Sequence, residues 1–466
     1  MKNLIFLVLS LVAQVFLVKA QQQERPNIVL LVADDLGWKD VGFMGSKYYK
    51  TPNLDLLASR AMVFNHAYAG AANCAPSRAI LMSGQHPMSH GIYTVATSER
   101  GKSEDRKIIP VQNKGTLPDS IITFAETLQD AGYKTGIFGK WHLGDNPATQ
   151  GFDEVKAGTS GRRKHFAPFN LSRFPEGEAG EYLTDRIAIE AAEFISREKD
   201  NSFFLYLPFF SIHTKLVGKP ETVDKYKAMS PVDGQGNNAD YAAMVEHVDD
   251  AVGKVMATLS ANGLTENTIV IFTSDNGGIA YLSRQWPLRA GKGSYYEGGI
   301  RVPMLFHWPE KIPASRNNSV PISFIDLYPT LLSLLDVSKT SLPLQGADLS
   351  DVVLGEKPSQ EQTTRAMFWH FPIYLEAYNG IGDDSRDYLF RTRPGTVMRK
   401  GNWKLHEYCE NGEIELYDLS QDPGERINLV SIMPEKAKEL HNEMDNWRKL
   451  HNAPVPKQMN PDYNSN

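Results

Sequence analysis

Residues 26–33 read Pro-Asn-Ile-Val-Leu-Leu-Val-Ala, an apolar stretch stopped abruptly by two carboxylates, Asp34 and Asp35. A run that is apolar on both faces has no side to turn toward water. It therefore predicts a strand buried inside a mostly parallel sheet with helices on either side. Runs of the same kind recur at 133–138, 203–209, 268–273 and 302–308, and helical patterns fall between them at 53–61, 119–131, 181–198 and 240–261. Alternating strands and helices predict an α/β sheet covered on both faces. In such sheets ligands collect where the strands end at their carboxyl side. Asp34 and Asp35 follow one strand, Lys140 and His142 a second, His213 a third, and Asp275 and Asn276 a fourth.

With 466 residues, 41% of them hydrophobic and 10% aromatic, the chain can bury a large core and is expected to divide in two. A polar, turn-rich stretch at 346–364 places the boundary, giving a larger domain over 21–360 and a smaller one over 361–466. In the smaller one, 397–405 and 413–419 each read as a short antiparallel strand, Asp422-Pro423-Gly424 as a turn, and 435–450 as an amphipathic closing helix. Residues 1–20 read as a signal peptide: a basic Lys2, an apolar stretch from Leu4 to Val18, and a small residue, Ala20, at the cleavage position. The mature chain is then exported, to a bacterial periplasm or the medium. A net charge of -6 gives no reason to expect nucleic acid, and an anionic substrate would need a locally positive pocket. There are only two cysteines, Cys74 and Cys409, so the fold is not built on disulfides.

Cys74 opens the run Cys-Ala-Pro-Ser-Arg-Ala-Ile-Leu-Met-Ser-Gly. Pro76 suits the first turn of a helix, which puts Cys74 where unpaired N–H groups favour an anion, with Arg78 one turn further in. The pattern fits either a nucleophile or a cysteine whose pKa is merely lowered by a helix end. Asp34, Asp35, Asp275 and Asn276 offer hard oxygen donors with no nitrogen ligand beside them, a composition suited to Ca²⁺ or Mg²⁺ rather than zinc. Lys140 and His142 in Gly-Lys-Trp-His-Leu-Gly, and Lys292 in Gly-Lys-Gly-Ser, lie among glycines that let the backbone turn them inward. Arg301 is expected to be structural, pairing with Glu297 or with a metal-site carboxylate.

Cys74, Pro76, Ser77, Arg78, Leu81 and Gly84 together resemble the signature of the formylglycine-dependent type I sulfatases, of the alkaline phosphatase-like superfamily. The text from Lys404 through Leu429 is similar to the C-terminal part of that family. The resemblance implies a large, mixed, mostly parallel sheet sandwiched by helices, followed by a smaller C-terminal α+β domain with an antiparallel sheet. It implies that Cys74 is oxidised to formylglycine (3-oxoalanine) by a formylglycine-generating or anaerobic sulfatase-maturating enzyme. One Ca²⁺ is then held by Asp34, Asp35, Asp275, Asn276 and the modified Cys74. Arg78, Lys140, His142 and Lys292 match positions around the sulfate or the aldehyde hydrate, and His213 matches the residue beside the leaving oxygen. A proline often stands two residues after that histidine, whereas this chain has Lys215.

The activity implied is sulfate-ester hydrolysis on a sulfated carbohydrate, with algal polysaccharide fragments such as ulvan or carrageenan preferred over glycosaminoglycans. Three segments offer themselves as substrate walls: the basic cluster Arg162-Arg163-Lys164-His165, otherwise a solvated loop; the aromatic and arginine-rich stretch 368–393, including Trp369, His370, Tyr374, Tyr378, Arg386 and Arg391; and the polar loop 98–116. Two other activities stay open. One is a phosphoesterase or phosphonate monoester hydrolase of the same superfamily, the other a non-catalytic carbohydrate-binding relative with an unmodified Cys74.

Overall fold

A computed structural model describes residues 25–464, apart from 160–162, 236–237, 318–319, 339–341 and 379–381. The signal peptide expected at 1–20 and Arg162 of the basic cluster lie outside the described residues. The centre is a sheet of eight strands: β1 Asn27–Ala33, β2 Met62–Phe64, β3 Lys134–Lys140, β4 Glu154–Gly158, β5 Phe203–Pro208, β6 Thr268–Ser274, β7 Met304–His307 and β8 Ser315–Asn317. They lie in the order β4-β3-β5-β1-β6-β7-β2-β8. Pairing is parallel from β4 through β6, and β7 runs antiparallel to both β6 and β2.

All seven residues of β1 are buried, because both faces of the sheet carry helices. Ile28, Leu30 and Val32 face α2 Cys74–Ser83, α3 Phe124–Asp130 and α6 Phe324–Leu334 through Ala79, Phe124, Leu128 and Leu331. Val29, Leu31 and Ala33 face α1 Pro52–Ala58, α4 Leu183–Arg197 and α5 Ala239–Ala261 through Leu57, Ile187, Phe194, Val248 and Val252. Each aliphatic side chain so enclosed contributes about 1.5–3 kcal/mol of transfer free energy, which anchors the strand whose last residue precedes Asp34. The short strands β2 and β8 went unread because three residues hold too little periodicity.

A second sheet of four antiparallel strands follows: β9 Ala366–Phe371, β10 Gly395–Lys400, β11 Trp403–Tyr408 and β12 Glu413–Asp418. Its Met398, Leu405 and Leu416 pack on Ala437, Leu440 and Met444 of α7 Pro434–Leu450. Met367, Trp369, Phe371 and Val397 on the other face meet Tyr68, Tyr295 and Ile300. The structure corrects two sequence expectations here. Residues 397–405 form two strands of a hairpin rather than one, turning at Gly401, which adopts the φ of +57° that a side chain would disfavour. Trp369, His370 and Tyr374 are core residues and build no sugar platform: Trp369 Nε1 donates to Ala69 O at 3.0 Å, and Tyr374 is fully enclosed. Among the described residues no helix is long and apolar enough to cross a membrane.

Candidate active site

The ends of β1, β3 and β6, the start of α2 and two loops meet at one point. Cys74 is the first residue of α2, with extended Asn73 before it. Its Sγ lies 3.4 Å from Asp34 Oδ1, 3.8 Å from Asp35 Oδ1 and 3.4 Å from Lys292 Nζ. Asp34, Asp35, Cys74 and Asp275 each present a ligand atom, all within 4.8 Å of one another and all buried. Asp35 enters this cluster through a left-handed backbone, φ 68°, and Asp34 is fixed by backbone bonds to Ser211 O (2.8 Å) and from Ile212 N (2.5 Å).

Cations interleave with the carboxylates. Lys140 Nζ donates to Asp34 Oδ2 at 2.6 Å and Lys292 Nζ to Asp35 Oδ2 at 2.7 Å. Arg78, wholly buried, places Nε and Nη2 on Asp275 Oδ2 at 2.9 and 2.7 Å and Nη1 on Lys140 O at 2.8 Å. Burial alone would raise the pKa of Asp34 and Asp35. The positive charges around them, Lys140 foremost for Asp34 and Lys292 for Asp35, outweigh it and hold both below the usual carboxylate range. At Asp275 burial wins despite Arg78 and pushes the carboxyl up to about 6.

The donors fit a hard divalent cation. Asn276 donates its Nδ2 to Asp35 Oδ1 and to Gly277 O, each at 2.9 Å, which orients the amide and leaves its Oδ1 buried with no hydrogen-bond partner. A buried, unsatisfied acceptor beside three carboxylates is costly unless a cation completes it. Charge balance agrees: Asp34, Asp35 and Asp275 are matched by Arg78, Lys140 and Lys292, so a bound Ca²⁺ would leave the pocket net positive toward an anion.

Two histidines border the cluster. His142 adopts φ 64°, its Nδ1 is buried without a partner, and burial with Lys140 and Arg78 keeps its pKa well below the usual range. His213 Nδ1 lies 2.6 Å from Thr214 O, which leaves Nε2 toward the site, 3.9 Å from Asp35 Oδ2. Burial, then Lys292, lowers its pKa to about 4. Every site residue named from the sequence thus lies in or beside this cluster. The low-pKa reading of Cys74 is corrected: burial and Asp275 push its thiol up, overriding the helix N-terminus. Arg301 pairs with Glu297 at 3.5 Å, away from the cluster.

Other residues support the site in ways the sequence did not show: Asp40 carried no signal, and Arg391, expected on a substrate wall, instead braces a site loop. Asp40 accepts from Gly37 N at 2.9 Å, Tyr241 Oη at 2.5 Å, Gln285 Nε2 at 3.2 Å and Ser283, tying the loop after Asp35 to the loop after Asn276. Arg391 lies 3.8 Å over the ring of Tyr378 and donates to Lys292 O at 3.2 Å, so the second sheet's neighbourhood steadies the lysine.

Comparison with known proteins agrees with this geometry. The sulfatase family model matches residues 26–337, and the model for the C-terminal part of N-sulphoglucosamine sulphohydrolase matches 291–451. A sulfatase of Formosa agariphila is 32% identical over 94% of this chain and 91% of its own length. Human N-acetylgalactosamine-6-sulfatase is 32% identical over 87% of this chain and 82% of its own length. The crystal structure of Ps i-CgsB in complex with k-i-k-neocarrahexaose is 31% identical, with a TM-score of 0.74 over 91% of this chain and 93% of that one. The chain belongs to the sulfatase family and is a hydrolase of sulfate esters.

Proposed function

We propose that this protein removes sulfate from a sulfated carbohydrate of the carrageenan or related algal type, after conversion of Cys74 to formylglycine and with one Ca²⁺ bound. The observation that carries the proposal is the contact of Cys74 Sγ with Asp34, Asp35 and Lys292 beside the unsatisfied Oδ1 of Asn276. The carbohydrate class is supported by relatives: one is an N-acetylgalactosamine-6-sulfatase, and another is seen with a neocarrahexaose.

Asp34, Asp35, Asp275, Asn276 and residue 74 would hold the calcium ion, which supplies Lewis-acid polarisation of a sulfate oxygen. Formylglycine at 74 would supply a hydrated aldehyde as nucleophile. The chain's own groups do the rest. Arg78 and Lys140 fix the carboxylates and, with Lys292, set positive charge where the sulfuryl oxygens gain electron density. Asp275, raised to about 6, or Asp35 takes the proton from the attacking group. His213 gives a proton from Nε2 to the departing alcohol, since the negative ester brought beside it favours its charged form. His142, held neutral, is the base for the step that frees sulfate.

In this reading residues 21–360 carry the reacting groups, residues 361–466 brace Lys292, and the leader at 1–20 exports the chain. Maturation needs a formylglycine-generating or anaerobic sulfatase-maturating enzyme. A panel of defined sulfated oligosaccharides, assayed for inorganic sulfate beside nitrophenyl phosphate, tests the assignment. Sulfate release from galactose-containing oligosaccharides is expected. Dominant phosphate turnover would contradict it.

A further inference from the structure

We propose that Arg163 and His165 are positioning residues that hold the His213 loop in register for proton donation, a role that rests on the reading of His213 as the leaving-group acid. The basic cluster containing them looked from sequence like a sulfate grip or a solvated loop. Instead the side chains of Arg163 and His165 reach back to the main chain of the loop after β5. Arg163 Nη2 donates to His213 O at 2.7 Å and to Thr214 O at 3.1 Å, with its guanidinium 5.7 Å over the Phe210 ring. His165 Nε2 lies 2.9 Å from Lys215 O. Tyr182, stacked on His165 with ring centroids 6.1 Å apart, donates its hydroxyl to Val217 O at 2.8 Å. Carbonyls 213, 214, 215 and 217 are thus held by three side chains.

The strap is itself anchored. His165 O accepts from Leu183 N at 2.8 Å and Ala167 N donates to Glu181 O at 3.0 Å, so it is tied to the start of α4. The loop it holds is fixed at both ends, by Ile212 N on Asp34 O and by Gly218 N on Asp240 Oδ1 at 2.9 Å. Between those ends no helix or strand takes up residues 213–217. Lys215 leaves free a φ that a proline would have fixed, and the two side-chain bonds around it restrict the chain there instead. Because His213 Nδ1 bonds its neighbour's carbonyl, Thr214 O, a shift of that carbonyl turns the imidazole and carries Nε2 off line. Misplacement of about 1 Å is enough to lose much of the benefit of a positioned acid.

A series of aryl sulfates with increasingly basic leaving groups, from nitrophenyl to phenyl sulfate, tests this on the matured, calcium-loaded enzyme. Nitrophenolate departs without a proton, whereas a sugar alcohol needs one. Arg163→Met keeps an unbranched apolar side chain at that position and removes both bonds. It should leave nitrophenyl sulfate turnover nearly unchanged and lower kcat for phenyl and sugar sulfates by about tenfold or more, part of the roughly 10²–10⁴-fold carried by a general acid. KM should move little. His165→Ala should act in the same direction, and His165→Gln, which can still donate to Lys215 O, should restore most of the loss. This pair keeps the test open if Arg163→Met folds poorly. Equal losses across the series, or a rise in KM with kcat intact, would overturn the strap. His213→Ala is the control: if it too lowers all substrates equally, the proton-donor reading falls first.

Discussion

At the scale of single residues, the site is a set of buried charges that cannot be removed one at a time. Arg78 and Asp275 are both fully enclosed, and among the described residues no other cation lies as close to Asp275 Oδ2 as the guanidinium at 2.7 Å. Truncation to Ala would strand that carboxylate, so Arg78→Ala is expected to destabilise the fold by about 3–5 kcal/mol, measurable by denaturant unfolding. Wild-type stability in that variant would contradict the arrangement. Asn276 is the sharper probe of the metal. Its Nδ2 bonds are replaceable, while its buried, unpartnered Oδ1 is the oxygen it offers to a cation. Asn276→Leu should weaken Ca²⁺ binding by at least about tenfold in calorimetry, and Ca²⁺ should raise the melting temperature of the wild type far more than that of the variant. These side chains were legible in the sequence because catalytic chemistry limits residue type. Asp40, which ties two site loops together, was not, because a lone buried aspartate after Trp38-Lys39 carries no pattern.

At the scale of elements, long buried strands announce themselves and short ones do not. β1, β3, β5 and β6 were readable as apolar runs, since helices cover both of their faces. β9 was mistaken for an aromatic insertion because its alternating Met367, Trp369 and Phe371 face partners far away in sequence. The bond between the two sheets was likewise invisible. Glu297, just beyond Lys292, accepts from Tyr68 Oη at 2.8 Å and from Lys404 Nζ of β11 at 2.9 Å. Lys404 also pairs with Glu425 at 3.0 Å, and Glu425 takes Glu297 N at 2.5 Å and His406 Nε2 at 2.8 Å. Burial would raise the Glu297 carboxyl, but Lys404, Arg301 and Arg399 hold it at about 2. A depressed carboxylate stabilises the fold at pH values above its unfolded pKa, and that contribution is lost as pH falls toward the folded value. Lys404→Met should therefore shift acid unfolding to higher pH, within the window between the ordinary glutamate pKa and about 2, as followed by circular dichroism. An unchanged acid limb would show that the cluster carries no linkage.

At the scale of the molecule, one sheet delivers the carboxylates, one helix N-terminus delivers Cys74, and the C-terminal sheet braces the loop that carries Lys292. The gathering of polar residues at strand ends could be expected from the sequence, because strand ends and polar residues coincide in it. What could not be read was how loops distant in sequence support one another, as 163–165 support 213–215. Those contacts depend on where loops travel, and no local pattern records that path.

The most direct test pairs two readings of a single preparation co-produced with a maturation enzyme. Mass spectrometry of the peptide bearing residue 74 and release of inorganic sulfate from a sulfated galactan oligosaccharide are followed together. The account predicts exchange of thiol for aldehyde at Cys74, sulfate release that scales with the converted fraction, and none from Cys74→Ala. Sulfate release that persists with alanine at 74, or a fully converted protein that frees no sulfate from any sulfated glycan, would contradict it.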